Sequence, residues 1–596
     1  MIMSLVVIVI SLGLAYLWAT RGFFSSLLHM ACVIVAGAIA FAAWESAALF
    51  VLGVAPRQGF FQFIEGVAWG VGLAVPFAIA LTLLRAVVDA TLRANANTSG
   101  MYNYIGGGFC GLVSGVVTAG ILVLAFGFTR TPPSLLGYDR INYADEGARG
   151  NLARSKSLIL PADDLVAGLY SRLSQGALSV PEPLAAWYPN LADVPAAMRL
   201  TADDGSGRNA IRADDFRVSG SYVVSGPVTD LVEDGWTDAA QTVAYIDGER
   251  AKDGSSLHGY VVDFEASARE TTGQVIMGAG QVRLLVTNPQ TGESKDVYPI
   301  AAVAQSDAKD VEYVRFRYDA KDVFLASLGG ATQTKMAFEF LVPPNKEPRA
   351  LYLRNVRVDA LPEEKAYNSV RARDREVRTG AIVGISAGGL PDDLIDDNAE
   401  VVANDQDSAS SRGPTSIPEF QARTRLRKVL QKGTFSGLTL GSKNEITGGE
   451  AKIPLEAVGR GGLERTLQVR EFAVTPDTIV VQLDVGADTR TSLLGRVVAS
   501  AERLGAPALI DSNGQRYDAL GYVYEDREIL HVRYTPGNPI RALRETPQLA
   551  RTRRDQRLEL VFRPTRGVEI ARFVVGNRVV TEFNPPILLN QNQSNK

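Results

Sequence analysis

The only stretch with the spacing of a covalent catalyst is Gly384-Ile-Ser386-Ala-Gly388, a G-x-S-x-G. In a nucleophile elbow, that spacing places a serine hydroxyl on a sharp turn between a buried strand and a helix. Ala381–Val383 is strand-like, but Gly389-Leu-Pro and an acidic run follow, so no helix can begin where the elbow needs one. The chain has three histidines, His29, His258 and His531. Only His531 lies downstream as a base, and it sits within an alternating strand pattern. The match reads as chance, and no enzymatic activity is expected.

Ligand-binding chemistry fares no better. Pro391–Asp407 carries seven acids, Asp392, Asp393, Asp396, Asp397, Glu400, Asp405 and Asp407, with no base among them. A calcium loop needs D-x-D-x-D-G spacing and a distant Glu, which this run lacks, so it reads as a solvated charge block. The two cysteines, Cys32 and Cys110, both fall in apolar runs, which leaves no thiolate zinc site or disulfide framework elsewhere. There is no GxxxxGK[ST] and no strand–GxGxxG–helix, so nucleotide binding has no support. No cofactor and no metal are expected. Arg423, Arg425, Arg427, Lys428 and Lys432 form one basic cluster, and Arg551, Arg553, Arg554 and Arg557 another. Neither is interleaved with aromatics, and the chain is nearly balanced at 61 basic and 65 acidic residues, so no nucleic-acid partner is expected.

The remaining chemical suspects are Glu45, Glu65 and His29, which lie in or beside long apolar runs. Carboxylates inside a membrane are functional suspects by default. Both glutamates fall near one connection, so they are expected at the headgroup interface, with no proton relay through the middle of the runs. The elements holding them are four. Ile2–Trp18 lacks a basic n-region and a small-x-small cleavage site, so it reads as a spanning helix rather than a cleaved signal. Phe23 to about Val54 is the second span, Phe60 to about Leu84 the third, and Tyr104–Phe128 the fourth. The fourth has no charge and exceeds the roughly 20 apolar residues needed to cross a bilayer. Gly107, Gly111, Gly115 and Ala119 recur every fourth residue on it, as in a helix-packing seam where backbones approach closely. Arg21, Arg85 and Arg93 lie on one side, and Arg57, Arg130 and Arg140 on the other. No basic residue precedes the first span, which favours the N-terminus and the large C-terminal part outside the cytoplasm.

A short first span, then Arg21-Gly22-Phe23 opening the second, two more spans, and a glycine-rich last one (IGGGFCGLVSGVV) resemble the colicin V production protein (CvpA) family over residues 1–130. The resemblance implies a four-span inner-membrane protein associated with toxin production and envelope-related phenotypes. It carries over no catalytic residue. The large C-terminal part is a departure from that family.

Residues 131–214 read as a connector with an amphipathic helix from Pro161, whose Leu165, Val166, Leu169, Tyr170 and Leu173 share a face and are expected to pack on the next domain. Residues 215–365 alternate with period two, residues 366–422 read as an acidic Ser/Gly/Pro-rich linker, and residues 423–596 return to strands, with a Ser512-Asn513-Gly514 turn. Tyr298 with VEYVRFRY and Tyr517 with ILHVRY stand 219 residues apart, and Phe338-Glu-Phe-Leu-Val-Pro and Leu558-Glu-Leu-Val-Phe-Arg-Pro stand 220 apart. Kept order and spacing point to a duplicated β-sandwich. The fold class expected is multi-domain: a four-helix membrane domain followed by two all-β, immunoglobulin-like domains. The function expected is a non-enzymatic membrane anchor or scaffold, its β-domains binding an envelope protein or polymer. An oligomeric transport component is the alternative, with the helices as the homo-oligomer contact.

Overall fold

The computed structural model describes residues 2–57, 60–92, 100–143, 152–155, 158–176, 182–228, 231, 243–270, 273–305, 313–318, 324–327, 333–378, 380–384, 418–458, 464–486, 489, 491–493, 505–512, 514–547, 549, 555–576 and 578–589. Ser386, the acids from Asp392 to Asp407, Asn513, Arg93, Arg551, Arg553 and Arg554 lie outside those residues.

Four helices open the chain: α1 (Ile2–Arg21), α2 (Phe23–Val54), α3 (Ala68–Thr91) and α4 (Gly100–Gly127). All four are long and apolar enough to cross a membrane. Their outward faces are apolar, with Leu5, Val9, Phe50, Ile79, Leu83 and Phe109 exposed, as lipid-facing positions would be. The third span begins as a 3-10 helix, Phe60–Val67, and becomes an α-helix only at Ala68. At 32 residues, α2 is about 48 Å long. A hydrocarbon core is about 30 Å thick, so roughly three turns of α2 stand beyond it.

The connector contains a small hairpin, β1 (Ile141–Tyr143) with β2 (Leu152–Arg154), and helices α5 (Ala162–Gln175), α6 (Leu184–Trp187), α7 (Asp193–Met198) and α8 (Ala202–Gly205). The amphipathic face of α5 does not pack on the β-region, as the sequence pattern had suggested. It lies on spans two and four: Val166 meets Gly120, and the Tyr170 hydroxyl donates to the Ile34 carbonyl at 3.1 Å. Small residues on the two spans, Gly37 and Gly120, leave space for a helix to settle there.

The first β-region holds β3 (Phe216–Val224), β4 (Ser256–Phe264), β5 (Ile276–Gly278), β6 (Val282–Thr287), β7 (Ser294–Val297), β8 (Ala301–Gln305), β9 (Tyr313–Arg317), β10 (Phe324–Ala326), β11 (Thr334–Val342), β12 (Glu347–Leu353), β13 (Val356–Val358) and β14 (Glu364–Tyr367). The second holds β15 (Phe420–Ala422), β16 (Arg425–Gln431), β17 (Leu438–Leu440), β18 (Ile446–Pro454), β19 (Gln468–Glu471), β20 (Val481–Asp484), β21 (Pro507–Asp511), β22 (Arg516–Asp518), β23 (Gly521–Glu525), β24 (Ile529–Tyr534), β25 (Arg557–Phe562), β26 (Glu569–Val575) and β27 (Arg578–Leu588). One sheet of the first region runs β14-β3-β4-β11-β8-β9, and one of the second runs β15-β20-β25-β23-β24-β18-β17. The companion sheets run β13-β12-β6-β7 and β22-β21-β26-β27. Matching the strands in chain order, β3-β4-β11-β8-β9 repeats as β15-β20-β25-β23-β24, and β7-β6-β12-β13 repeats as β22-β21-β26-β27. In each region the two sheets contribute to one buried core.

The folded part of the first region continues into the segment that composition assigned to the linker. Helix α9 (Val370–Arg378) covers the outer face of β11, and a 3-10 turn, Ala381–Val383, follows. Both faces of β11 are therefore buried. Met336, Phe338, Phe340 and Val342 face the companion sheet, while Ala337 and Leu341 face α9. A strand covered on both sides loses the polar half of its alternation, which is why this segment reads TKMAFEFLV. The carboxylate on it, Glu339, is completely buried and paired with Arg315 and with Arg373 of α9, and it accepts from the Tyr222 hydroxyl at 2.9 Å.

Candidate functional site

The glycine row of α4 lies against α1. A Cβ on Gly107 would stand 2.8 Å from the Trp18 carbonyl oxygen, on Gly111 2.8 Å from that of Leu14, and on Gly115 2.7 Å from the Cα of Ser11. The obstacles are backbone, which cannot rotate away. Ala119 continues the row and is buried among Met3, Val7 and Val123. At the other end of the same pair, Gly22 has φ +90°, which suits glycine, and lets Phe23 N–H donate to Asn103 Oδ1 of α4 at 2.6 Å. Arg21 lies 5.1 Å over the Trp18 ring. The seam and the Arg21-Gly22-Phe23 turn thus hold one helix pair at two levels. Gly115→Leu is expected to cost about 1–3 kcal/mol through overpacking, read as a lower unfolding temperature in detergent. Gly13→Leu on the open face of α1, where a Cβ meets nothing within 4 Å, is expected to be neutral.

The polar chemistry collects at the other end of the bundle, where spans two and three connect and span four leaves. Glu65 is 6 % exposed and pairs with Arg208 of the connector. Arg208 also donates to the carbonyls of Ser267 at 2.5 Å and Arg269 at 3.1 Å in the β-region. Arg57 reaches Asp215 at 2.5 Å and Asp214 at 2.7 Å. Arg212 donates to the Ala55 carbonyl at 2.5 Å, and Asn209 Nδ2 to the carbonyls of Gly66 and Phe128 at 3.0 and 3.1 Å. These last bonds occupy carbonyls that helix ends leave without intrahelical partners. Glu45 accepts from the Tyr188 hydroxyl at 2.5 Å and faces Arg357 at 3.4 Å. Both glutamates were expected to reach headgroups, but instead they bind the connector and the β-region. Three aromatic rings complete the contact: Trp44 packs tilted against Tyr188, and Tyr188 meets Tyr352 edge-on, with centroids 5.0 and 5.6 Å apart, while Arg283 lies 3.5 Å over Tyr352. Trp44 Nε1 donates to the Trp69 carbonyl at 3.1 Å. Apolar residues from α2, α3, α4, the connector and β6, β11 and β12 form one continuous core.

Asp215 anchors this junction. Burial opposes its ionisation, but the Ser267 hydroxyl at 2.6 Å, Arg57 and the Arg212 N–H outweigh that and hold the carboxyl below its ordinary 3.8. A depressed carboxyl stabilises the fold fully above its unfolded value and loses that contribution as pH falls through the folded one. The junction is therefore expected to be insensitive to pH near neutrality and to weaken only below about pH 3.8. Thermal unfolding followed across that range checks it, and Asp215→Asn is expected to flatten the acid branch.

The suspects elsewhere are paired within the fold. His531 bonds Glu450 at 2.7 Å and Tyr522 at 3.3 Å within the sheet, and burial leads the effects that push its pKa down. His258 bonds Glu364 at 2.7 Å. The first basic cluster is paired internally: Arg423 and Arg427 with Glu559, Arg425 with Glu471, and Lys428 with Glu525. Arg557 pairs with Asp484 and Glu559. Among the described residues no group of His, Cys, Asp and Glu is arranged to hold a metal ion. Sequence reasoning missed Arg208, Asn209, Arg212, Asp215 and Tyr188, each paired with a residue more than 50 positions away or hidden in an unremarkable connector. No protein-family model matches the chain, and neither a curated protein nor a solved structure shows significant similarity to it.

Proposed function

We propose that the chain is a non-enzymatic membrane scaffold of the CvpA type, in which four spanning helices present two immunoglobulin-like β-regions to an envelope partner. The observation that carries this reading is the common core of helices, connector and first β-region. A β-module on a loose tether needs no such core, whereas one presented at a set height and angle does. The internally paired carboxylates of the spans also favour an anchor over a proton-coupled path. The protein sits in the inner membrane with both β-regions outside the cytoplasm. Protease added to intact spheroplasts is expected to cut the β-regions, and cleavage only after permeabilisation would contradict that placement. Crosslinking in native membranes separates scaffold from transporter: the scaffold yields monomers in the membrane part, and a closed ladder of oligomers would favour transport.

A further inference from the structure

A groove of about 740 Å³ runs between α2 and the α5–α6 segment, beside the junction. Its walls are Val35, Ala38, Ile39, Ala42, Leu173 and Leu184. Val35 and Ile39 are 43 and 45 % exposed on the outward face of a candidate span, so in a bilayer the groove opens toward the acyl chains. The opposite end is polar. Arg357 and Arg349 both lie over the Trp187 ring, 4.1 and 4.0 Å from its centroid. Arg357 faces Glu45 at 3.4 Å, whereas Arg349 has no carboxylate within ion-pair distance among the described residues. Glu182 also lines the groove, exposed and without a cationic partner among those residues. Trp187 is 7 % exposed, and its indole N–H has no acceptor among the described residues.

An apolar trough open to lipid, lined also by Arg357 and an uncommitted carboxylate, with the Arg349 guanidinium over the Trp187 ring beside it, has the polarity of one molecule class. We infer that the groove holds a phosphatidylethanolamine: one acyl chain along α2, the phosphate on Arg349 and Arg357, and the ammonium toward Glu182. Arginine forks suit phosphate oxygens, and the carboxylate selects a cationic head over a neutral glycerol one. The lipid would thereby touch the bundle, the connector and β12–β13 at once.

Native mass spectrometry of the full chain in detergent, titrated with phosphatidylethanolamine or with phosphatidylglycerol of the same acyl composition, tests this. One phosphatidylethanolamine per chain is expected to be retained in preference to phosphatidylglycerol. Arg349→Ala is expected to lower its affinity about tenfold, as the loss of one charge-assisted contact. Ala42→Trp, at an exposed position on the groove wall, is expected to abolish retention with the unfolding temperature unchanged. Equal retention of both lipids, with or without the substitutions, would overturn the proposal in favour of unspecific annular lipid. Stronger retention of phosphatidylglycerol would overturn the headgroup assignment.

Discussion

Glu339→Ala is expected to destabilise the first β-region by about 3–5 kcal/mol, because it removes the completely buried counter-ion that two arginines share. Arg373 and Arg315 have side chains 1 and 8 % exposed, and Glu339 is their common counter-ion. Burial alone would raise the Glu339 carboxyl, but Arg315 and Arg373 overcome that and push it down to about 2. Its contribution is therefore whole at neutral pH and fades only as pH falls from the ordinary 4.5 toward that value. The duplication supplies a control. Glu559 is the equivalent residue of the second region, but its partners Arg423, Arg427 and Arg557 are 17, 34 and 35 % exposed. Water can take over part of their solvation, so Glu559→Ala is expected to cost less, about 1–3 kcal/mol. Replacing Glu339, Arg315 and Arg373 together by leucine or methionine is expected to return most of the loss. Thermal or denaturant unfolding of the three variants checks the order.

Arg208→Ala is the second large effect, again about 3–5 kcal/mol. Arg208 and Glu65 have side chains 12 and 8 % exposed, so removing the guanidinium leaves a carboxylate sealed at the end of the bundle. It also frees the carbonyls of Ser267 and Arg269. Arg208→Lys keeps the charge but not the fork that serves three acceptors, and is expected to lose less. If the loss is the stranded charge, adding Glu65→Gln to Arg208→Ala recovers much of it, and the double-mutant cycle reads the coupling. A separate early transition of the β-region, with the helices still folded, is the expected appearance of the single variant.

How much of this was legible in the sequence depended on range. The four helices were visible because a bilayer-length run without charge has few alternative fates, and Gly107, Gly111 and Gly115 share a face by helical period alone. The repeat was visible because order and offset survive where individual residues do not. The junction was hidden: Glu65 and Arg208 stand 143 positions apart, and neither has a local pattern that names the other. Glu45 and Glu65 looked like interfacial charges because only their own helices were in view. Helix α9 was concealed by the polar composition of VRARDREVR, whose Arg373 is buried for a partner on β11. The amphipathic stripe of α5 holds in the structure except at Leu165, which is 52 % exposed, and a stripe does not state which surface it meets.

The claim on which the account rests is that the helical bundle and the first β-region move as one body. Pulsed electron paramagnetic resonance measures it directly. Spin labels at Val54, exposed at the end of α2, and at Gln290, on the exposed turn between β6 and β7, would be introduced with Cys32 and Cys110 replaced by alanine, and the full chain placed in lipid nanodiscs. The account predicts a single narrow distance distribution that broadens when Arg208→Ala is added. A broad distribution in the unaltered junction, indifferent to Arg208, would contradict it.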